Sequence, residues 1–84
     1  MFIKLDEHIV NTMFITQVYP DVEDRWGSIE YHVAVSTCNW QSDSGRAEYY
    51  IYCKDVDEMN RVYNNFSELL GATEDIKNVR YNTI

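Results

Sequence analysis

The chain has 84 residues, fourteen of them acidic and seven basic, for a net charge of −7. A single domain of this size buries roughly 60–65 % of the surface its unfolded form exposes, which excludes a large internal substrate cavity. Its acidity opposes phosphate backbones and anionic lipid heads, so the expected partner is a protein with a basic surface, with no direct nucleic acid and no membrane.

Apolar residues make up 45 % of the chain, with only three glycines and one proline, so a disordered or collagen-like chain is excluded. No apolar run approaches the roughly 20 residues that span a bilayer. The opening Met-Phe-Ile-Lys-Leu-Asp-Glu lacks the basic flank and long apolar stretch of a secretory signal, and a cytoplasmic location is expected.

In chain order, Phe2, Ile3 and Leu5 predict a short strand, and Asp6-Glu7-His8 a polar turn. Asn11-Thr12 reads as a local turn before a β-branched, aromatic strand from Phe14 to Val18 that ends near Pro20. Asp21, Glu23 and Asp24 then fall in a loop, with no helix start to explain their charge. After the break at Asp24 to Ser28, residues 29–39 alternate cleanly. Ile29, Tyr31, Val33, Val35 and Thr37 share one face, and Glu30, His32, Ala34, Ser36 and Cys38 share the other. A fourth strand runs from Ala47 to Lys54.

The period changes at residue 55. Val56, Met59, Val62, Tyr63, Phe66, Leu69 and Leu70 recur at spacings of three and four, the stripe of an amphipathic helix over 55–70. Asp55 is placed to cap its start, Glu58 follows three residues later, and Gly71 stands where a C-terminal glycine belongs. The acids Asp55, Asp57 and Glu58 are therefore explained by the helix dipole. In the tail, Lys77, Val79, Tyr81 and Thr83 alternate, so residues 71–84 are either a tail or an edge strand.

These elements predict one α+β domain, residues 1–84: a two-layer sandwich with an antiparallel sheet of four strands, five with the tail, and one C-terminal amphipathic helix on one face. Residues 1–54 form the sheet in this reading. A three-residue loop at Asp43-Ser44-Gly45 would pair Asn39 with Tyr49, Thr37 with Ile51 and Val35 with Cys53. Cys53 then lies under the helix while Cys38 lies on the opposite face near Tyr50, a placement incompatible with a disulfide.

The face away from the helix is the candidate site. There Trp40, Tyr50 and Tyr52 gather where an ordinary solvated face would carry small polar and charged side chains. Tyrosine and tryptophan supply large apolar area with a polar tip at little entropic cost, the chemistry of an interface anchor. With His32 on the same face and the acids Asp21, Glu23 and Asp24 as an electrostatic lure, these residues form the expected partner-binding set. No catalytic site, cofactor or metal is expected. Glu30, His32 and Cys38 spread over about 25 Å of strand, too far for one ion, and His8 cannot be placed. The chain has no Cys-x-x-Cys, no phosphate-binding glycine loop and no Gly-x-Ser-x-Gly.

Across the stretches "MFIKL", "IVNTMFITQV" and "KDVDEMNRVYNNFSELLG", the layout resembles that of small accessory proteins carried by bacteriophages and bacterial mobile elements. The resemblance implies a non-enzymatic inhibitor of the anti-defence or anti-CRISPR kind, acting in a bacterial host cell on a basic protein surface. It implies no particular functional residue. The alternative is a homo-oligomeric structural or regulatory module, such as a homodimer closed over the aromatic face. A small-ligand binder or enzyme ranks behind both.

Overall fold

The computed structural model describes residues 1–38 and 46–72. They form an α+β fold in the order β1 (Phe2–Leu5), β2 (His8–Asn11), a 3-10 turn (Thr12–Phe14), β3 (Ile15–Arg25), β4 (Ser28–Cys38), β5 (Arg46–Cys53) and α1 (Val56–Leu69). The strands are all antiparallel and divide into a β1-β2 hairpin and a three-stranded sheet in the order β3-β4-β5. Trp40, the Asp43-Ser44-Gly45 loop and the alternating tail lie outside the described residues.

Two tight turns set the strand pairing. Leu5 pairs with His8 and Arg25 with Ser28, so each connection has two residues, Asp6-Glu7 and Trp26-Gly27. All four have positive φ, as a hairpin of this length requires to match the right-handed strand twist. The predicted polar turn is thus Asp6-Glu7, and His8 already begins β2. Asn11 ends that strand by accepting the Met13 N–H on its side chain, which opens the 3-10 turn.

The local pattern predicts an end to the second strand near Pro20, but β3 runs on through Arg25. Proline removes a ladder donor, and β3 is an edge strand, where one row of donors faces away from the sheet. Asp21, Glu23 and Asp24 are consequently strand residues and not a loop.

The core lies between the sheet and α1. Leu5, Val10, Val33, Val35, Met59 and Phe66 are buried together, with Ile15, Val18, Tyr31, Tyr49, Ile51, Cys53 and Val62 packed around them. Each buried side chain of this class contributes roughly 1.5–3 kcal/mol. The β1-β2 hairpin joins through Leu5 and Val10, and His8 Nδ1 lies 3.2 Å from the Tyr49 hydroxyl. Helix α1 starts as expected: Asp55 accepts the Glu58 N–H at 2.8 Å. It ends with Gly71 N–H bonding to Glu68 O and Ala72 N–H to Ser67 O, the paired bonds of a glycine-terminated helix.

The β4-β5 register differs from expectation by four residues. Val35 pairs with Tyr49, Val33 with Ile51 and Tyr31 with Cys53. Side chains alternate with period two, so a shift of four preserves both faces and changes every neighbour. Cys38 pairs along the backbone with Arg46, not Tyr50, and both cysteines are free thiols. Ile29, expected in the core, is exposed on the helix side near the Trp26-Gly27 turn, as is Val22.

Candidate functional site

The sheet face turned away from α1 is organised as cross-strand rungs. Gln17, Ser36 and Glu48 share one rung, Tyr19, Ala34 and Tyr50 the next, and Asp21, His32 and Tyr52 the next, followed by Glu23 beside Glu30. Ala34 is fully buried between two tyrosines. His32 is 2 % exposed, its ring edge-on to Tyr50 at 5.1 Å and tilted against Tyr52 at 5.6 Å. The tyrosines themselves remain open, Tyr50 at 42 % and Tyr52 at 66 % exposure.

Glu48 fixes Tyr50 together with Tyr19 from the other edge strand. The Tyr19 hydroxyl donates to one carboxylate oxygen and the Tyr50 hydroxyl to the other, both at 2.9 Å, while Ser36 donates at 3.3 Å. Hydrogen bonds from Tyr50 and then Tyr19 hold the Glu48 carboxyl below its ordinary range. In return, the bond to Glu48 raises Tyr19 and pushes Tyr50 up to about 12. Both rings are thereby kept as neutral phenols, oriented by a shared acceptor.

A second group lies one rung along. His32 Nε2 is 2.9 Å from Asp21 Oδ2, and an ionised carboxylate only accepts, so the ring N–H donates. Glu23 Oε2 accepts from Arg25 Nε at 2.9 Å, and Glu30 lies 3.7 Å from the same nitrogen. The face therefore carries Asp21, Glu23, Glu30 and Glu48, with Arg25 offsetting part of the charge.

Of the sequence-predicted residues, Asp21, Glu23, His32, Tyr50 and Tyr52 meet on this one face. Asp24 does not: it pairs with Ile29 and points to the helix side. Trp40 lies outside the described residues. Glu30 keeps the face expected of it, and Tyr19 and Glu48, outside the expected partner-binding set, complete it. The signal for Tyr19 was present, since Val18, Pro20 and Val22 alternate with Tyr19, Asp21 and Glu23, but Pro20 masked it.

No family model, curated protein or solved structure matches the chain. The chemistry of the face must therefore be read from its own geometry. Among the described residues, the groove between α1 and β3, lined by Ile15, Val18, Tyr63, Phe66 and Leu70 among others, contains no carboxylate, histidine, lysine, arginine or cysteine. Among the described residues no helix is long and apolar enough to cross a membrane.

Proposed function

We propose that the protein is a non-enzymatic binding module that docks a basic protein partner on its open sheet face, and that it acts as an inhibitor of the kind its phage-like layout implies. The observation that carries this reading is the arrangement of Tyr50, exposed yet oriented by Glu48, and Tyr52, exposed against the buried His32 ring, within a field of four carboxylates. Preset rings cost little entropy on binding, and the acids speed the approach of a positive surface. A twofold dimer through the same face would set the patch of Asp21, Glu23, Glu30 and Glu48 against the same patch of the second copy. Like-charge contact of that kind opposes association, so a basic partner fits better than a second copy.

The test is capture from bacterial lysate by wild type and by Tyr52→Ala, each at low and high salt. Support is a basic protein retained by wild type at low salt, released at high salt, and lost by the variant. Equal retention of the same proteins by both would remove this face from recognition.

A further inference from the structure

Beyond the third strand the sheet narrows to a two-stranded arm. β5 ends at Cys53, opposite Tyr31, whereas β3 and β4 stay paired from Val22 with Tyr31 out to Arg25 with Ser28. Trp26 sits at the tip of this arm, in the turn that joins the two strands. It is 103 % exposed, the highest value among the described large apolar side chains, and its φ is 55°. Both facts are costs to the free protein: water meets the whole indole, and a left-handed φ strains a residue with a bulky side chain. Asparagine would make the same turn without either cost. The fold therefore does not account for a tryptophan here, and a position both strained and exposed points to a contact made outside the chain.

The surroundings of the turn define that contact. Residues 21–30 carry four acids, Asp21, Glu23, Asp24 and Glu30, against one base, and that base, Arg25, is held by Glu23 at 2.9 Å and approached by Glu30 at 3.7 Å. On the helix side Val22 and Ile29 are exposed diagonal neighbours, so apolar surface continues from the tip along one side of the arm. A convex indole among carboxylates is complementary to a concave apolar pocket with a basic rim. Neither a second copy, with its net charge of −7, nor an anionic lipid surface offers such a rim. We propose that Trp26 is the anchor of the interface, inserting its indole into an apolar pocket rimmed by lysine and arginine on the partner, with the carboxylates of the arm guiding it there. This rests on the reading that the partner is a basic protein, and it adds which residue carries the affinity. Tryptophan suits the task because one side chain supplies about 150–250 Å² of contact area with only two torsions to fix. Its indole N–H is a donor only, so the pocket must hold an acceptor such as a backbone carbonyl.

The experiment is photocrosslinking of the intact chain in bacterial lysate, with p-benzoylphenylalanine, a bulky aromatic probe, replacing Trp26 or, as a control, Met13, which is 83 % exposed in the turn before β3. The probe at position 26 should give one discrete adduct at low salt that is lost at high salt, and mass analysis should map the crosslink to apolar residues flanked by lysine and arginine. The probe at position 13 should not give this adduct. Unlabelled wild type should compete for the adduct at least tenfold better than Trp26→Asn, although that variant melts no lower. Trp26→Phe, which keeps the strain and part of the ring area, should fall between the two. No adduct at position 26, an adduct of twice the mass of the chain, a crosslink to a surface without a basic rim, or equal competition by wild type and Trp26→Asn would overturn the anchor. Tyr52→Ala in the same competition separates the two readings. If it competes poorly while Trp26→Asn competes like wild type, the open face stands as the docking surface and only the anchor falls.

Discussion

Tyr50 and Glu48, two residues apart on one face of β5, are joined by a 2.9 Å hydrogen bond in which the phenol donates to the carboxylate. The same carboxylate accepts Tyr19 from β3, so a single acid on one edge strand ties down rings from both edges of the sheet.

This geometry predicts the alkaline behaviour of the fold. Tyr50 titrates at about 12, above its ordinary 10.0, so the native state holds the phenolic proton more tightly than the unfolded state does. The stability it contributes is complete below pH 10 and is lost as pH rises toward 12. Glu48 is shifted the other way, and its contribution is present above the ordinary carboxyl range and lost as pH falls through the lowered value. In an ultraviolet titration of the seven tyrosines, Tyr50 should ionise among the last. Glu48→Gln should bring Tyr50 and Tyr19 back toward ordinary values. An unchanged titration curve in that variant would show that Glu48 does not hold the rings.

Trp26 invites a stabilising substitution. It is fully exposed and has φ 55° at the first position of the Trp26-Gly27 turn, a left-handed conformation that a large side chain adopts at a cost. Asn-Gly is the preferred pair for this turn, so Trp26→Asn should stabilise the protein by about 1 kcal/mol. Denaturant unfolding checks the sign. If the tryptophan is retained as a contact residue near the acidic face, the same variant will bind the partner more weakly while melting higher, and a variant that is less stable would refute the strain argument.

Thiol chemistry tests which face of the sheet each cysteine occupies. Cys38 is exposed, whereas Cys53 is half-buried against the core and burial pushes its thiol up. An alkylating reagent at neutral pH should modify Cys38 first and Cys53 many-fold more slowly, with the two rates converging on unfolding. A native mass lower by two hydrogens, traced to a Cys38–Cys53 bridge, would contradict their placement on opposite faces.

Legibility of the fold followed the strength of local signals. Helix α1 was readable at both ends because Asp55 and Gly71 carry capping chemistry independent of tertiary structure. Register was not readable, because a four-residue slip keeps Val33, Val35 and Ile51 on the same face and leaves the apolar pattern unchanged. Yet that slip decides the site: the expected register set Tyr52 opposite Ser36, whereas the observed one sets it opposite His32 and buries the imidazole. The second loss came at Pro20. A proline reads locally as a strand end, and its tolerance on an edge strand depends on sheet order, which no local pattern records. The chain past Pro20 carries Asp21 and Glu23 to His32, so the cluster became visible only with the topology.

Recognition by charge can be assigned to one face by comparing two acids that are close in the chain and opposite in the sheet. Glu30 lies on the open face, on β4 beside Glu23 and Arg25. Asp24 adjoins Glu23 in sequence but projects to the helix side. At physiological salt the screening length is about 8 Å, so a partner seated on the open face feels Glu30 far more strongly than Asp24. Glu30→Gln should therefore slow association with a basic partner and flatten its dependence on ionic strength, while leaving dissociation nearly unchanged. Asp24→Asn, an equal loss of net charge, should have a much smaller effect. The measurement is association rate against salt for wild type and both variants. Equal slopes for the two variants would mean that net charge alone steers the encounter, and a larger effect at Asp24 would move the docking surface to the helix side.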